Sequence, residues 1–241
     1  MIGLVPAAGE GTRLRPWTKA LPKEMLQVGD KPIIEHVLQQ FKEAGIEKVF
    51  IIVGYRKEAI MNYLGNGSDW GMKIAYLFQE DKKGLAHAIY QGDEFIDEPF
   101  VVMLGDTLLN PERTLKKVLD FHEKKDSDVT LFLEEVEDPS RFGVVETDEN
   151  GKVIDLEEKP ENPKSNLAII GLYVFSPEVF KFIEKTKPGK KGELQITDSI
   201  KLMVEAGKKV YAMKNEGTWF DIGTKESYMK ANKFAHSDNE N

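Results

Sequence analysis

Ile2-Gly3-Leu4-Val5-Pro6-Ala7-Ala8-Gly9-Glu10-Gly11-Thr12-Arg13 opens the chain with a short apolar run that turns straight into a glycine-rich loop. An apolar run of this length, closed by proline and small residues, has the size of a buried strand rather than a helix. The same kind of run returns at 49–53, 73–78 and 100–104. Between the runs lie amphipathic stretches. Residues 32–44 place Ile33, Ile34, Val37, Leu38 and Phe41 on one helical face, and 58–64 and 85–95 read as further helices. Strand and helix alternating in this way predict an α/β fold, a Rossmann-like, doubly wound and mostly parallel sheet covered on both faces.

Beyond about residue 128 the pattern changes. Segments 129–135, 143–147, 152–158 and 169–175 alternate polar and apolar residues, which predicts a smaller, partly antiparallel part. Helices are expected at 177–185, 194–206 and 226–234, and a frayed polar tail at 236–241. The 241 residues, 41% of them hydrophobic, suit one large domain. A membrane span needs about 20 apolar residues in a row, and no such run occurs. The start has no basic, then apolar, cleavable leader, so a cytoplasmic location is expected. With no cysteine, any metal must sit on oxygen or imidazole. A net charge of −8 excludes nucleic acid or an anionic membrane as the main partner, though not a small anion held by a few placed cations.

In doubly wound sheets, ligands sit beyond the carboxyl ends of the strands. The loops after Val5, Phe78 and Leu104 should therefore share one crevice. In the first loop, Gly9 and Gly11 permit positive φ and close backbone approach, so that successive N–H groups can face a phosphate chain beside Arg13 and Lys23. The string lacks the third glycine of a dinucleotide fingerprint and the Gly-Lys-Ser/Thr ending of a P-loop. Asp106, just past the apolar run 100–104, is a turn-former or a ligand for a hard cation. The four histidines show no paired metal spacing.

Gly9-x-Gly11-Thr12-Arg13-x-x-Pro16-x-Thr18, with Lys23 behind it, resembles the signature of the sugar-1-phosphate nucleotidyltransferase family. The likeness continues in order through Gln79 with Gly84-Leu85-Ala86-x-Ala88, Leu104-Gly105-Asp106, Phe142-Gly143-Val144, Glu157-Glu158-Lys159-Pro160 and Gly171-x-Tyr173. Gly192-Glu193-Leu194-x-Ile196-Thr197-Asp198 and Trp219-Phe220-Asp221-x-Gly223-Thr224 complete it. The resemblance implies the nucleotide-diphospho-sugar transferase fold in a single domain over 1–241. Residues 1–127 would be mainly nucleotide-binding, and 128–235 would carry the sugar site and a second metal ligand.

It further implies magnesium (Mg2+) on Asp106 and Asp221, with Arg13 and Lys23 as catalytic cations. Ala7, Ala8, Gly9, Gly11, Thr12, Arg13, Gln79 and Gly84 would hold the nucleotide, with Gln79 reading the base. Gly143, Glu158, Lys159 and Tyr173 would hold the sugar phosphate. His87 stands where thymidylyl enzymes usually have glutamine and is expected at the nucleotide pocket's wall.

The implied substrates are glucose-1-phosphate and dTTP, with UTP the alternative. Trp219–Thr224 and Gly192–Leu194 resemble the short thymidylyltransferases. Pro22–Leu26, His87 and 165–169 resemble bacterial uridylyltransferases, and Thr107 departs from the thymidylyl pattern. A homo-oligomer, dimer or tetramer, is expected from the likeness. A non-catalytic nucleotide-sugar-binding regulatory subunit is the competing class.

Overall fold

In β1 (Ile2–Ala7) nearly every side chain is buried, because both faces of this strand are covered. Ile2 and Leu4 enter one core, and Val5 and Ala7 enter the other. The computed structural model describes residues 1–189 and 192–238. After β1 come three short 3₁₀ turns, then a small hairpin of β2 (Gln27–Val28) and β3 (Lys31–Pro32). The alternation continues through α1 (Ile33–Glu43), β4 (Lys48–Val53), α2 (Lys57–Leu64), β5 (Lys73–Phe78), α3 (Leu85–Tyr90) and β6 (Phe100–Met103). β1 pairs in parallel with β4 and β6, and β4 with β5, as the sequence pattern predicts.

The second half is the mixed part. After β7 (Thr107–Asn110) and α4 (Thr114–Lys125) come β8 (Val129–Glu135), β9 (Gly143–Thr147), β10 (Val153–Glu158) and β11 (Leu167–Phe175). β11 runs antiparallel to β6, β8 and β9, extending one nine-stranded sheet in the order β10-β9-β11-β6-β1-β4-β5, with β8 and then β12 (Val210–Lys214) branching from β11. α5 (Val179–Lys185) and α6 (Ile196–Glu205) pack with α3 on one face; α1, α2 and α4 cover the other. In α1 the residues Ile34, Val37, Leu38 and Phe41, at helical spacing, are at most 1% exposed. Burial of each contributes roughly 1.5–3 kcal/mol.

Six strands and helices are absent from the sequence reading: β2, β3, β7, α4, β12 and β13 (Thr218–Asp221). α3 ends at Tyr90 rather than near 95, as the chain turns through Gln91 and Gly92. The expected frayed tail at 236–241 is also corrected: α7 (Lys225–Asp238) carries the helix through 238, and 239–241 lie outside the described residues. A third apolar cluster joins Leu14, Leu26, Val28, Ile33, Leu108, Ile222 and Ala231. It docks α7 against the glycine loop, so the chain's last helix helps hold its first loop. No helix among the described residues is long and apolar enough to cross a membrane.

Candidate active site

The two acids come together through a short pairing that the sequence concealed. Leu104–Asp106 turns between β6 and β7, and β13 runs antiparallel to β7 with Asp221 opposite Thr107. The Ile222 N–H donates to the Asp106 carbonyl at 3.0 Å. Both carboxylates line one cleft of about 250 Å³ together with Arg13, Arg141, Lys159 and Trp219. A second cleft, of about 410 Å³, is lined by Ala8, Gly9, Thr12, Lys23, Gln79 and Gly84 among others. Leu104 and Asp106 line both. Asp106 therefore stands where the two cavities meet.

Lys23 donates from Nζ to Asp106 Oδ2 at 2.5 Å. Burial opposes its charge, but the neighbouring carboxylates of Asp106, Glu24 and Asp221 outweigh this and raise its pKa, so Lys23 stays cationic. Asp221 is pushed upward, first by burial and then by Asp106, with Lys23 and Arg13 opposing. Two carboxylates under mutual strain form an oxygen donor set suited to a small hard cation that keeps waters and substrate phosphates as its other ligands. No group of three or more potential metal-ligating side chains occurs among the described residues, and magnesium at a phosphate site does not require one. The donor set fits the implied magnesium.

Arg13 lines the acid cleft rather than the larger one, to which the sequence reading had assigned it. The missing side chain of Gly223 leaves room there. A Cβ at 223 would stand 3.0 Å from Arg13 Nη2 and 3.1 Å from Asp221 Oδ1. In the glycine loop, Gly11 takes positive φ (61°) whereas Gly9 does not. The Gly11 carbonyl accepts from Thr18 Oγ1 at 2.7 Å, so Gly11 serves the turn and lines neither cleft. Ala7 is 1% exposed, packs in the core and lines neither cleft.

On the far side of the larger cleft, Gly84 adopts φ 103°. Its missing Cβ would fall 2.5 Å from the Leu194 carbonyl oxygen, which accepts from Ala86 N–H, so only glycine fits. This explains the otherwise unassigned Glu193–Leu194 segment: it fixes the loop beside Gln79. Gln79 is 7% exposed, and its amide nitrogen bonds the Gly84 carbonyl at 3.2 Å and His87 Nδ1 at 3.0 Å.

Behind Lys159, which lines the acid cleft, Glu158 accepts from Thr197 Oγ1 at 2.7 Å and Lys159 Nζ at 2.6 Å. Gly143 packs against that group, 3.4 Å from Glu158 Oε2 to a would-be Cβ. Lys159 is held in the left-handed region, φ 47°. Tyr173 does not join the cleft lining. It is 4% exposed, its ring stacks on Phe175 at 5.5 Å, and burial raises its hydroxyl pKa. Three residues had no site role in the sequence reading. Glu24 is wholly buried with no hydrogen bond to either carboxyl oxygen, and burial raises its pKa to about 8. Arg141 and Glu193 line the two clefts. Their available signal was adjacency to Phe142-Gly143-Val144 and Gly192.

A doubly wound sheet that sets a glycine turn, two cations and a pair of acids at its strand ends defines an anion-handling α/β protein. The chain belongs to the nucleotidyl transferase family, which it matches over residues 2–238. It is 40% identical to the low-salt glycan biosynthesis nucleotidyltransferase Agl11 of Haloferax volcanii, over 99% of this chain and 67% of that one. It is 38% identical to the UTP–glucose-1-phosphate uridylyltransferase AglF of the same organism, over 96% and 95%. A glucose-1-phosphate thymidylyltransferase of Streptomyces griseus is 36% identical over 97% of this chain, which spans 65% of that protein's length. Among solved structures, a UDP-glucose pyrophosphorylase complexed with UDP-glucose superposes with a TM-score of 0.91 at 34% identity, covering 98% of both chains.

Proposed function

We propose that this chain joins the nucleoside monophosphate of a pyrimidine triphosphate to glucose-1-phosphate, releasing pyrophosphate. The observation that carries the reading is the meeting of two clefts at Asp106, with Lys23, Arg13 and Asp221 around it. The larger cleft, with its glycine loop and Gln79, takes the nucleotide. The smaller, with Lys159 in its lining and Glu158 bonded to that lysine, takes the sugar phosphate.

In this reading a phosphate oxygen of glucose-1-phosphate attacks the α-phosphorus. A new P–O bond forms, the α–β bond breaks, and its electron pair leaves with pyrophosphate. The nucleophile is already an anion, so no general base is needed. The chain's work is alignment and offsetting of crowded negative charge. Lys23 holds Asp106 and faces the nucleotide cleft; Arg13 offers its guanidinium where both phosphates converge. Asp106 and Asp221 would hold magnesium, which supplies charge neutralisation across the phosphates when bound.

The sequence favours dTTP, a preference that the thymidylyltransferase likeness supports. UTP is supported by relatives matched over nearly the full length of both chains, named for uridylyl transfer and for UDP-glucose. The two bases differ by one methyl, worth about 1–3 kcal/mol of discrimination. Pyrophosphate release on mixing each of dTTP, UTP, CTP and GTP with glucose-1-phosphate and magnesium tests the proposal. Release with dTTP or UTP is expected. Binding without release from any triphosphate would replace it with a non-catalytic nucleotide-sugar sensor.

A further inference from the structure

Gln79 has spent its hydrogens before any nucleotide arrives. One N–H of its amide donates to the Gly84 carbonyl and the other to His87 Nδ1. The Gly84 partner is an oxygen acceptor, which requires the nitrogen of the amide on that side. An amide NH2 group can only donate, so the His87 Nδ1 that faces it is the acceptor and the neutral ring carries its proton on Nε2. Burial, and then Lys83, lower the His87 pKa and keep the ring neutral. The Gln79 backbone N–H is bonded to the Val53 carbonyl at 3.0 Å, which anchors the residue to the end of β4. What Gln79 has left for a ligand is the two lone pairs of Oε1.

We propose that His87 is a positioning residue for base selection. It locks the Gln79 amide so that the nucleotide meets a carbonyl oxygen, which accepts the N3–H of uracil or thymine and repels the N3 lone pair of cytosine. His87 lines neither of the clefts that Gln79 lines, so it acts through Gln79 and not on the base. Without it, the amide keeps one tether and gains a free hydrogen, and can turn to meet cytosine. The inference rests on the proposed function only in taking the larger cleft to be the nucleotide site. It says nothing between uracil and thymine, which share the imide edge.

The test compares UTP and CTP in wild-type protein, His87→Ala and His87→Asn. Kd comes from titration calorimetry with magnesium, and kcat and KM from pyrophosphate release with glucose-1-phosphate. The wild type is expected to bind UTP at least about tenfold more tightly than CTP. His87→Ala should cut that ratio about tenfold, through Kd and KM for UTP, with kcat changed by less than about threefold. His87→Asn, whose Oδ1 can stand near the position of Nδ1, should restore the ratio. His87→Leu gives the same reading as the alanine variant should that chain fail to fold.

An unchanged ratio in the folded alanine or leucine variant overturns the inference, as does an asparagine variant no better than alanine. Equal binding of UTP and CTP by the wild type overturns it too. If the wild type selects UTP but releases no pyrophosphate, the transfer reading fails while the role of His87 stands.

Discussion

The ammonium of Lys23 lies 2.5 Å from Asp106 Oδ2, joining positions 83 residues apart at the edge of the larger cleft. The same carboxylate faces Asp221, so Lys23 neutralises one member of a crowded pair. Lys23→Met should leave the buried Asp106 and the half-buried Asp221 without this counterion. Breaking a buried pair on one side costs about 3–5 kcal/mol. Magnesium can take over the neutralising role, so millimolar magnesium chloride should raise the melting temperature of the variant more than that of the wild type. Turnover should still fall by at least about 10²-fold. Equal magnesium responses in the two proteins would count against Asp106 as a cation ligand.

Glu24 makes stability depend on pH in a defined direction. Burial chiefly, with Asp106 adding and Lys23 opposing, raises its pKa from 4.5 to about 8. The folded chain therefore prefers the neutral acid. Its stabilising contribution is fully present below about pH 4.5 and is lost as the pH rises to about 8. Glu24→Gln is neutral throughout, so its stability relative to the wild type should grow across that window and level off above it. Linkage puts the full change on the order of 5 kcal/mol. Urea midpoints at several pH values measure it, and parallel curves for the two proteins would rule it out.

Lys159 combines backbone strain with a place in the acid cleft. A non-glycine residue at φ 47° costs about 1–3 kcal/mol, a cost tolerated where the side chain is needed. Lys159→Gly should leave the melting temperature unchanged or higher, while the KM for glucose-1-phosphate rises about tenfold or more. A variant that is both stable and kinetically normal would remove Lys159 from the sugar-phosphate site.

The parallel half of the fold was legible because its strands are buried on both faces and read as unbroken apolar runs. The residues at the mouths of the clefts could be picked out because Gly9 and Asp106 come close behind such runs, at the strand ends. What was missed has physical causes. β7 and β13 are four residues each, too short to show a period, yet their pairing brings Asp221 to Asp106. α4 carries Leu115 and Val118 on an otherwise charged helix, a thin apolar stripe that reads as a solvated segment. Tyr173 follows a family pattern in letters, but β11 turns its ring into the core. No spacing rule joins Gln79 to His87 either, since that contact depends on where Gly84 lets the chain bend.

Gly223 tests the distance between cation and acid most directly. Its backbone is outside the left-handed region, so alanine is allowed conformationally and lowers the entropy of the unfolded chain by about 0.4–1 kcal/mol. The added Cβ would stand 3.0 Å from Arg13 Nη2 and 3.1 and 3.2 Å from the two Asp221 oxygens. Those groups must give way by a few tenths of an ångström or more, and misplacement approaching 1 Å at such a site costs about 10²-fold. Gly223→Ala should therefore melt within about 1 kcal/mol of the wild type, with kcat reduced about 10- to 100-fold and a higher magnesium concentration needed for half-maximal rate. Arg13→Ala in the same background should add little further loss, because both changes act on the same guanidinium. Fully additive losses would separate Arg13 from Asp221 and place the guanidinium's work elsewhere in the cleft.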